Sequence, residues 1–144
     1  MFVVDTNILL YAAECTFPYH RKARRALGSW MVGDRPCFVT WGILYEFMRV
    51  ATHPAVFEHP WPWQQAFSFV ESLLSGPSVG VLQQTQRHAD VLREVVRQCP
   101  DVSGNVIHDG HTAVLMREHG VREIRTLDSH FRRFPFLTVV DPLA

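Results

Sequence analysis

Short unbroken apolar runs alternate along this chain with longer stretches in which apolar residues recur every three or four positions. The first pattern belongs to strands covered on both faces, the second to helices with one apolar side. "MFVV" is such a run, and a helix is predicted from about Thr6. Another is predicted over "PYHRKARRALGSWM", where Ala23, Ala26, Leu27 and Trp30 keep helical spacing with basic residues between them. "PCFVT" reads as the second strand. Thr40 is placed to cap the helix "WGILYEFMRVAT", whose Ile43, Leu44, Phe47 and Ala51 form one stripe. The proline-punctuated loop "HPAVFEHPWP" precedes two further helices, "WQQAFSFVESLLS" and "QRHADVLREVVRQC". Strand-like "PSVGVLQ" separates them, and Thr85 is expected to cap the second. The helix "VIHDGHTAVLMREHG" is expected to stop at Gly120, after which "REIRTL" and "LTVV" supply the last strands.

Short strands alternating with helices predict an α/β fold of three layers, α/β/α, with a mostly parallel central sheet. At 144 residues with 47% hydrophobic positions, the chain is expected to form a single domain over residues 1–144. No apolar run approaches the roughly 18 residues that a membrane helix needs, and no charged segment precedes the first apolar stretch, so a cytoplasmic protein is expected. Cys15, Cys37 and Cys99 are odd in number and widely spaced, which predicts reduced packing residues and no zinc site. The formal net charge is zero, so any nucleic-acid surface must be local.

The candidate chemistry begins at Asp5, a carboxylate at the end of a buried strand. Two readings stand at that point: Asp5, Thr6 and Asn7 cap the helix that follows, or Asp5 belongs to a site. Ligands of parallel sheets gather at the carboxyl ends of strands, and Asp128 follows "REIRTL" as Asp5 follows "MFVV". Glu46 lies three residues after Ile43 and is expected to border the apolar stripe; Asp109, three after Val106, is expected on the inward side of its helix. Four carboxylates brought together repel one another and require a cation. A hard divalent ion such as Mg2+ or Mn2+ prefers oxygen ligands and completes its shell with water and phosphate oxygens, which suits phosphoryl chemistry.

"VVDTNILLYA", "YEFMRV", "GNVIHDGHTAVLMREHGV" and "RTLDSHFRRF" resemble the four acidic motifs of PIN-domain ribonucleases. Their spacing and the closing "FLTVVDPL" resemble most the VapC toxins of toxin–antitoxin modules, over essentially the whole chain. The resemblance implies a Mg2+- or Mn2+-dependent endoribonuclease acting on single-stranded or structured RNA, blocked by a small cognate antitoxin protein, and commonly a homodimer. By position it implies Asp5, Glu46, Asp109 and Asp128 as the catalytic, metal-binding acids. It places Thr6, Asn7, Asn105 and Thr126 in polar positions that orient those acids or a water. Gly110 stands where a small alanine is usual, at a cost in helix propensity that close packing would justify. His130 stands where many relatives carry another aspartate.

Two basic clusters could guide RNA phosphates. Arg21, Lys22, Arg24 and Arg25 read more simply as a solvated helix face, whereas Arg132 and Arg133 follow Asp128 closely and are expected to contact RNA. Two other readings compete with the ribonuclease. His108, Asp109 and His111, with His88 or His53, have the residue types of an HD-type metal phosphohydrolase, but that class is all-helical. A non-catalytic PIN-like module that binds RNA or protein is the other, and the presence of all four acids weighs against it.

Overall fold

The computed structural model describes residues 1–144. In chain order the elements are β1 (Phe2–Val4), α1 (Thr6–Ala13), α2 (His20–Met31), β2 (Cys37–Thr40), α3 (Trp41–Ala51), α4 (Trp63–Leu74), β3 (Val79–Leu82), α5 (His88–Gln98), α6 (Val106–Glu118), β4 (Glu123–Arg125) and β5 (Thr138–Val140). A short 3-10 turn, Ser129–Arg133, sits between the last two strands.

The five strands form one sheet in the order β3-β2-β1-β4-β5, and every pairing is parallel. The expected α/β architecture is present, with a sheet that is wholly parallel. A five-stranded sheet also overturns the HD-type reading, which requires helices alone. From β1 the chain steps outward through β2 to β3, then returns past β1 to β4, so the strand order reverses between β1 and β4. Right-handed crossovers in opposite directions put their helices on opposite faces of a sheet. Accordingly α1 packs on α2 and α3, α3 packs on α4, and α5 packs on α6.

The sheet interior is what the apolar runs predict: Phe2, Val3, Val4, Cys37, Val39 and Ile124 are buried, joined by the stripe Ile43, Leu44, Phe47 and Ala51. Burying about 25 cal/mol per Å2 of apolar surface is what holds such short strands together. Thr40 caps α3 as expected, its hydroxyl accepting from the Ile43 N–H at 3.1 Å. Gly120 has φ +68, the left-handed conformation that ends α6. Thr85 does not cap α5, which begins three residues later with Arg87 at its cap position. Its hydroxyl instead donates to Glu118 at 2.7 Å and accepts from the Arg87 N–H at 3.1 Å. The fully buried Glu118 side chain also takes the Thr85 N–H and the His88 ring, and these hydrogen bonds outweigh burial, which alone would raise its pKa, and hold it low. No helix is long and apolar enough to cross a membrane.

Candidate active site

The reversal of strand order opens a crevice at the carboxyl ends of the strands, where ligands bind in open α/β sheets. It is a cleft of about 860 Å3, and Asp5, Glu46, Asp109 and Asp128 all line it. Each arrives from a different element. Asp5 leaves β1, Glu46 stands on α3, Asp109 on the first turn of α6, and Asp128 follows β4 and caps the 3-10 turn through the His130 N–H at 2.8 Å.

Both readings of Asp5 hold at once. One carboxylate oxygen caps α1 by accepting from the Thr6 N–H at 2.7 Å; the other accepts from the Thr126 hydroxyl at 2.7 Å. Thr126 is 1% exposed, one step past β4, and its oxygen also accepts from the Asp128 N–H and the Asn7 amide, each at 2.9 Å. One donated and two accepted bonds exhaust a hydroxyl. Asn7 closes the ring, accepting from the Leu127 N–H at 3.3 Å and donating to Asp5 at 3.3 Å. A side chain on α1 and another beyond β4 therefore fix the two strand-end acids against each other. Burial raises the pKa of Asp5, and the charges of Asp128 and Glu46 add to that, against the hydrogen bonds from Thr126 and Thr6.

Asp109, Asp128 and His130 form the tightest cluster, with one potential ligand atom from each within 4.8 Å of the others. His130 Nδ1 lies 3.3 Å from Asp128 Oδ1 and 3.9 Å from Asp109 Oδ2. Burial, then the charges of Asp5 and Asp128, push Asp109 up to about 6. Carboxylates that raise one another in this way are matched to a cation, and oxygen donors with one imidazole suit a divalent ion.

Glu46 differs from expectation. Its side chain is 46% exposed on the cleft wall, and Arg49, one turn along α3, grips it with two hydrogen bonds of 2.7 and 3.0 Å. The hydrogen bond to Arg49 lowers its pKa, so Glu46 is ionised and already paired. The i,i+3 spacing of Glu46 and Arg49 was the signal for this. Thr6 serves Asp5 through its backbone N–H and not through its side chain. The Thr6 hydroxyl donates to the Ile43 carbonyl at 3.3 Å, tying α1 to α3, and Asn105 lines the cleft without a capping hydrogen bond.

His108 and His111 line the cleft, the former exposed and the latter half-buried. Gly42 makes room for His111: a β-carbon there would stand 3.4 Å from its Nδ1. His88 is drawn away to Glu118 at 2.6 Å, and His53 accepts from the Ala55 N–H, so neither joins Asp109. Arg132 and Arg133 are exposed on the 3-10 turn, outside the cleft lining. His130 is the residue that sequence reasoning undervalued; its place beside two acids depends on the tight turn after Asp128.

The PIN domain family profile matches residues 2–137. Ribonuclease VapC37 of Mycobacterium tuberculosis is 34% identical over 134 residues, covering 93% of this chain and 92% of its own. Two solved structures share the fold. VapBC2 from Rickettsia felis, bound to a promoter DNA fragment, superposes with a TM-score of 0.65 at 16% identity, covering 96% of each chain. VapC20 of Mycobacterium tuberculosis, described as a sarcin–ricin loop cleaving toxin, gives 0.64 at 18% identity, covering 92% of this chain and 93% of that one. PIN nucleases are generally dependent on divalent metals, in keeping with the acidic cluster. With its profile match over nearly the whole length and its acids gathered where the strand order reverses, the chain belongs to the PIN-domain family, among the relatives of its VapC ribonucleases.

Proposed function

We propose that this chain is the toxin of a type II toxin–antitoxin pair, an endoribonuclease that hydrolyses RNA phosphodiester bonds with Mg2+ or Mn2+. The observation that carries the reading is the convergence of four carboxylates on one open cleft, with Asp109 pushed up to about 6 by burial and by its acidic neighbours. Asp5, Asp109 and Asp128 would hold the cation, with His130 beside the last two and Glu46 lining the same cleft. When bound, such an ion neutralises charge developing on the phosphate and acidifies an attacking water.

The chain's own groups prepare that chemistry. Thr126 and the Thr6 N–H each engage one oxygen of Asp5, so its carboxylate is held in a single orientation. The N–H of Asp128 on the Thr126 oxygen carries the same constraint across to β4. In the metal-free protein Asp109 takes up a proton as the pH falls through about 6, so protons compete with the cation for this ligand and metal affinity falls on the acid side. Arg132 and Arg133, outside the cleft, meet phosphates of the strand beyond the scissile bond.

A cognate antitoxin protein that covers the cleft, a homodimeric state and a cytoplasmic setting complete the proposal. Support for the antitoxin comes from the toxin–antitoxin complex VapBC2 among the structural neighbours, and for the cytoplasmic setting from three free cysteines. The test is incubation of labelled RNA with the protein in chelator, Mg2+ and Mn2+, with and without the antitoxin. Cleavage only with metal, and its loss with antitoxin, is the expected result. Cleavage in chelator would sink the metal site, and no cleavage in any buffer would leave a binding module.

A further inference from the structure

The cleft has a lining that fits poorly with gripping RNA by its phosphates. Arg49 is its only arginine or lysine, and that guanidinium is held by Glu46 through two hydrogen bonds. Four carboxylates share the same walls. Apart from the cation that the acids would hold, a polyanion gains little from the charges of this lining, so a contact of another kind is needed beside the phosphate contacts outside the cleft.

The first turns of α3 offer one. Trp41 and Tyr45 are 43% and 65% exposed, and Tyr45 lines the cleft beside Glu46. Spaced i,i+4, the two side chains project from the same side of the helix, with ring centroids 6.4 Å apart and planes inclined by 56°. That inclination rules out a closed stack between them and leaves ring surface open. Gly42 follows Trp41 and carries no side chain that could block the approach to the cleft. Of the large exposed aromatics only Tyr45 lines the cleft; Tyr19, Trp63 and Phe67 do not, and Trp41 adjoins it through its contact with Tyr45.

Resting on the ribonuclease reading, we propose that Trp41 and Tyr45 are a stacking platform for unpaired nucleobases of the RNA strand that enters the acid cleft. Every base has a π face, so stacking on aromatic rings holds a single strand without drawing on its charge. It also demands bases that are free of a duplex, so the platform selects single-stranded segments and positions the adjoining phosphate toward Asp5, Asp109 and Asp128.

The test is binding of a labelled single-stranded oligoribonucleotide in metal-free buffer, where nothing is cut, beside an oligomer of equal length and charge made of abasic units. Trp41→Ala and Tyr45→Ala should each weaken binding of the base-bearing strand by about fivefold or more. Binding of the abasic strand should not change, Trp41→Phe and Tyr45→Phe should restore most of the affinity, and the salt slope should stay constant because phosphate contacts are untouched. Tyr45 is 65% exposed, so its alanine variant should melt with the parent; Trp41 is more than half covered, and Trp41→Phe, which keeps a ring there, is the folding control for its alanine variant. Unchanged affinity in both alanine variants would overturn the proposal, and so would an equal loss on the abasic strand. Sedimentation provides a third arm: if the alanine variants turn a dimer into monomers, the rings belong to a contact between copies and the platform is wrong. A parent that binds the strand in this ring-dependent way yet never cleaves with Mn2+ would sink the ribonuclease reading alone; cleavage with ring-independent binding would sink the platform alone.

Discussion

Asp109→Asn should make the metal-free protein more stable while removing its response to metal. The pKa of Asp109 stands at about 6 against an ordinary 3.8, raised by burial and by the charges of Asp5 and Asp128. The folded state therefore binds this proton more tightly than the unfolded chain, and stability falls as the pH rises between those two values. A gap of about two units corresponds to roughly 3 kcal/mol at 1.36 kcal/mol per unit. Asparagine relieves that penalty, a net in which the opposing charges of His130 and His108 are already counted, and the Asp109 side chain is 23% exposed, so solvent screens part of it. A net gain of about 1–2 kcal/mol remains, or roughly 3–8 °C in Tm for a chain of this size. Thermal melts in chelator at pH 7.5 should show this gain, and melts near pH 4 should show it almost gone, since both side chains are then close to neutral. Added Mn2+ should raise the parent's Tm by mass action and the variant's by much less. A variant that melts at or below the parent in chelator at pH 7.5, or that responds fully to Mn2+, would refute the account of Asp109.

Other substitutions test separate links. Thr126→Val leaves Asp5 without its hydroxyl donor and the Asp128 N–H without its acceptor in a buried position; it should cost about 2–3 kcal/mol in urea unfolding and reduce RNA cleavage along with it. Gly110→Ala should stabilise by roughly 0.5–1 kcal/mol, because a β-carbon there meets only Phe134 and Val102 at ordinary packing distances, 3.8 and 4.0 Å; a lower Tm would show that the helix packs more tightly than this. Replacing Arg132 and Arg133 together with Ala should lower the dependence of RNA affinity on salt by about 0.7 for each phosphate that the pair neutralises, with little change in Tm. Glu118 is occupied by Thr85 and His88, and Asp141 by the Leu143 N–H, so neither acid holds these arginines.

Much of this structure is written in local pattern. The parallel sheet follows from short apolar runs separated by amphipathic helices, and Thr40 and Gly120 mark helix ends by mechanisms confined to a few residues. Asp5 was legible because a carboxylate directly after a buried strand needs a reason. What stayed hidden depends on residues far apart in the chain. The Thr126 hydroxyl reaches Asp5 across 121 positions, and Glu118 draws Thr85 away from the helix end it was expected to cap. His130 joins Asp109 and Asp128 only through the 3-10 turn, whose geometry no periodicity encodes. Glu46 is the instructive exception, since Arg49 lies three residues on and its competing claim was readable from spacing alone.

The central claim, that Asp5, Asp109 and Asp128 act as one metal-dependent centre for RNA cleavage, is tested most directly by single-turnover cleavage of labelled RNA in Mn2+. The parent is compared there with Asp5→Asn, Asp109→Asn and Asp128→Asn, each first shown to be folded by its melting curve. The account predicts that every one of the three loses nearly all cleavage, and that combining two substitutions does little further harm, as expected for groups acting as a unit. Cleavage close to the parent's in any two of the folded single variants would contradict it.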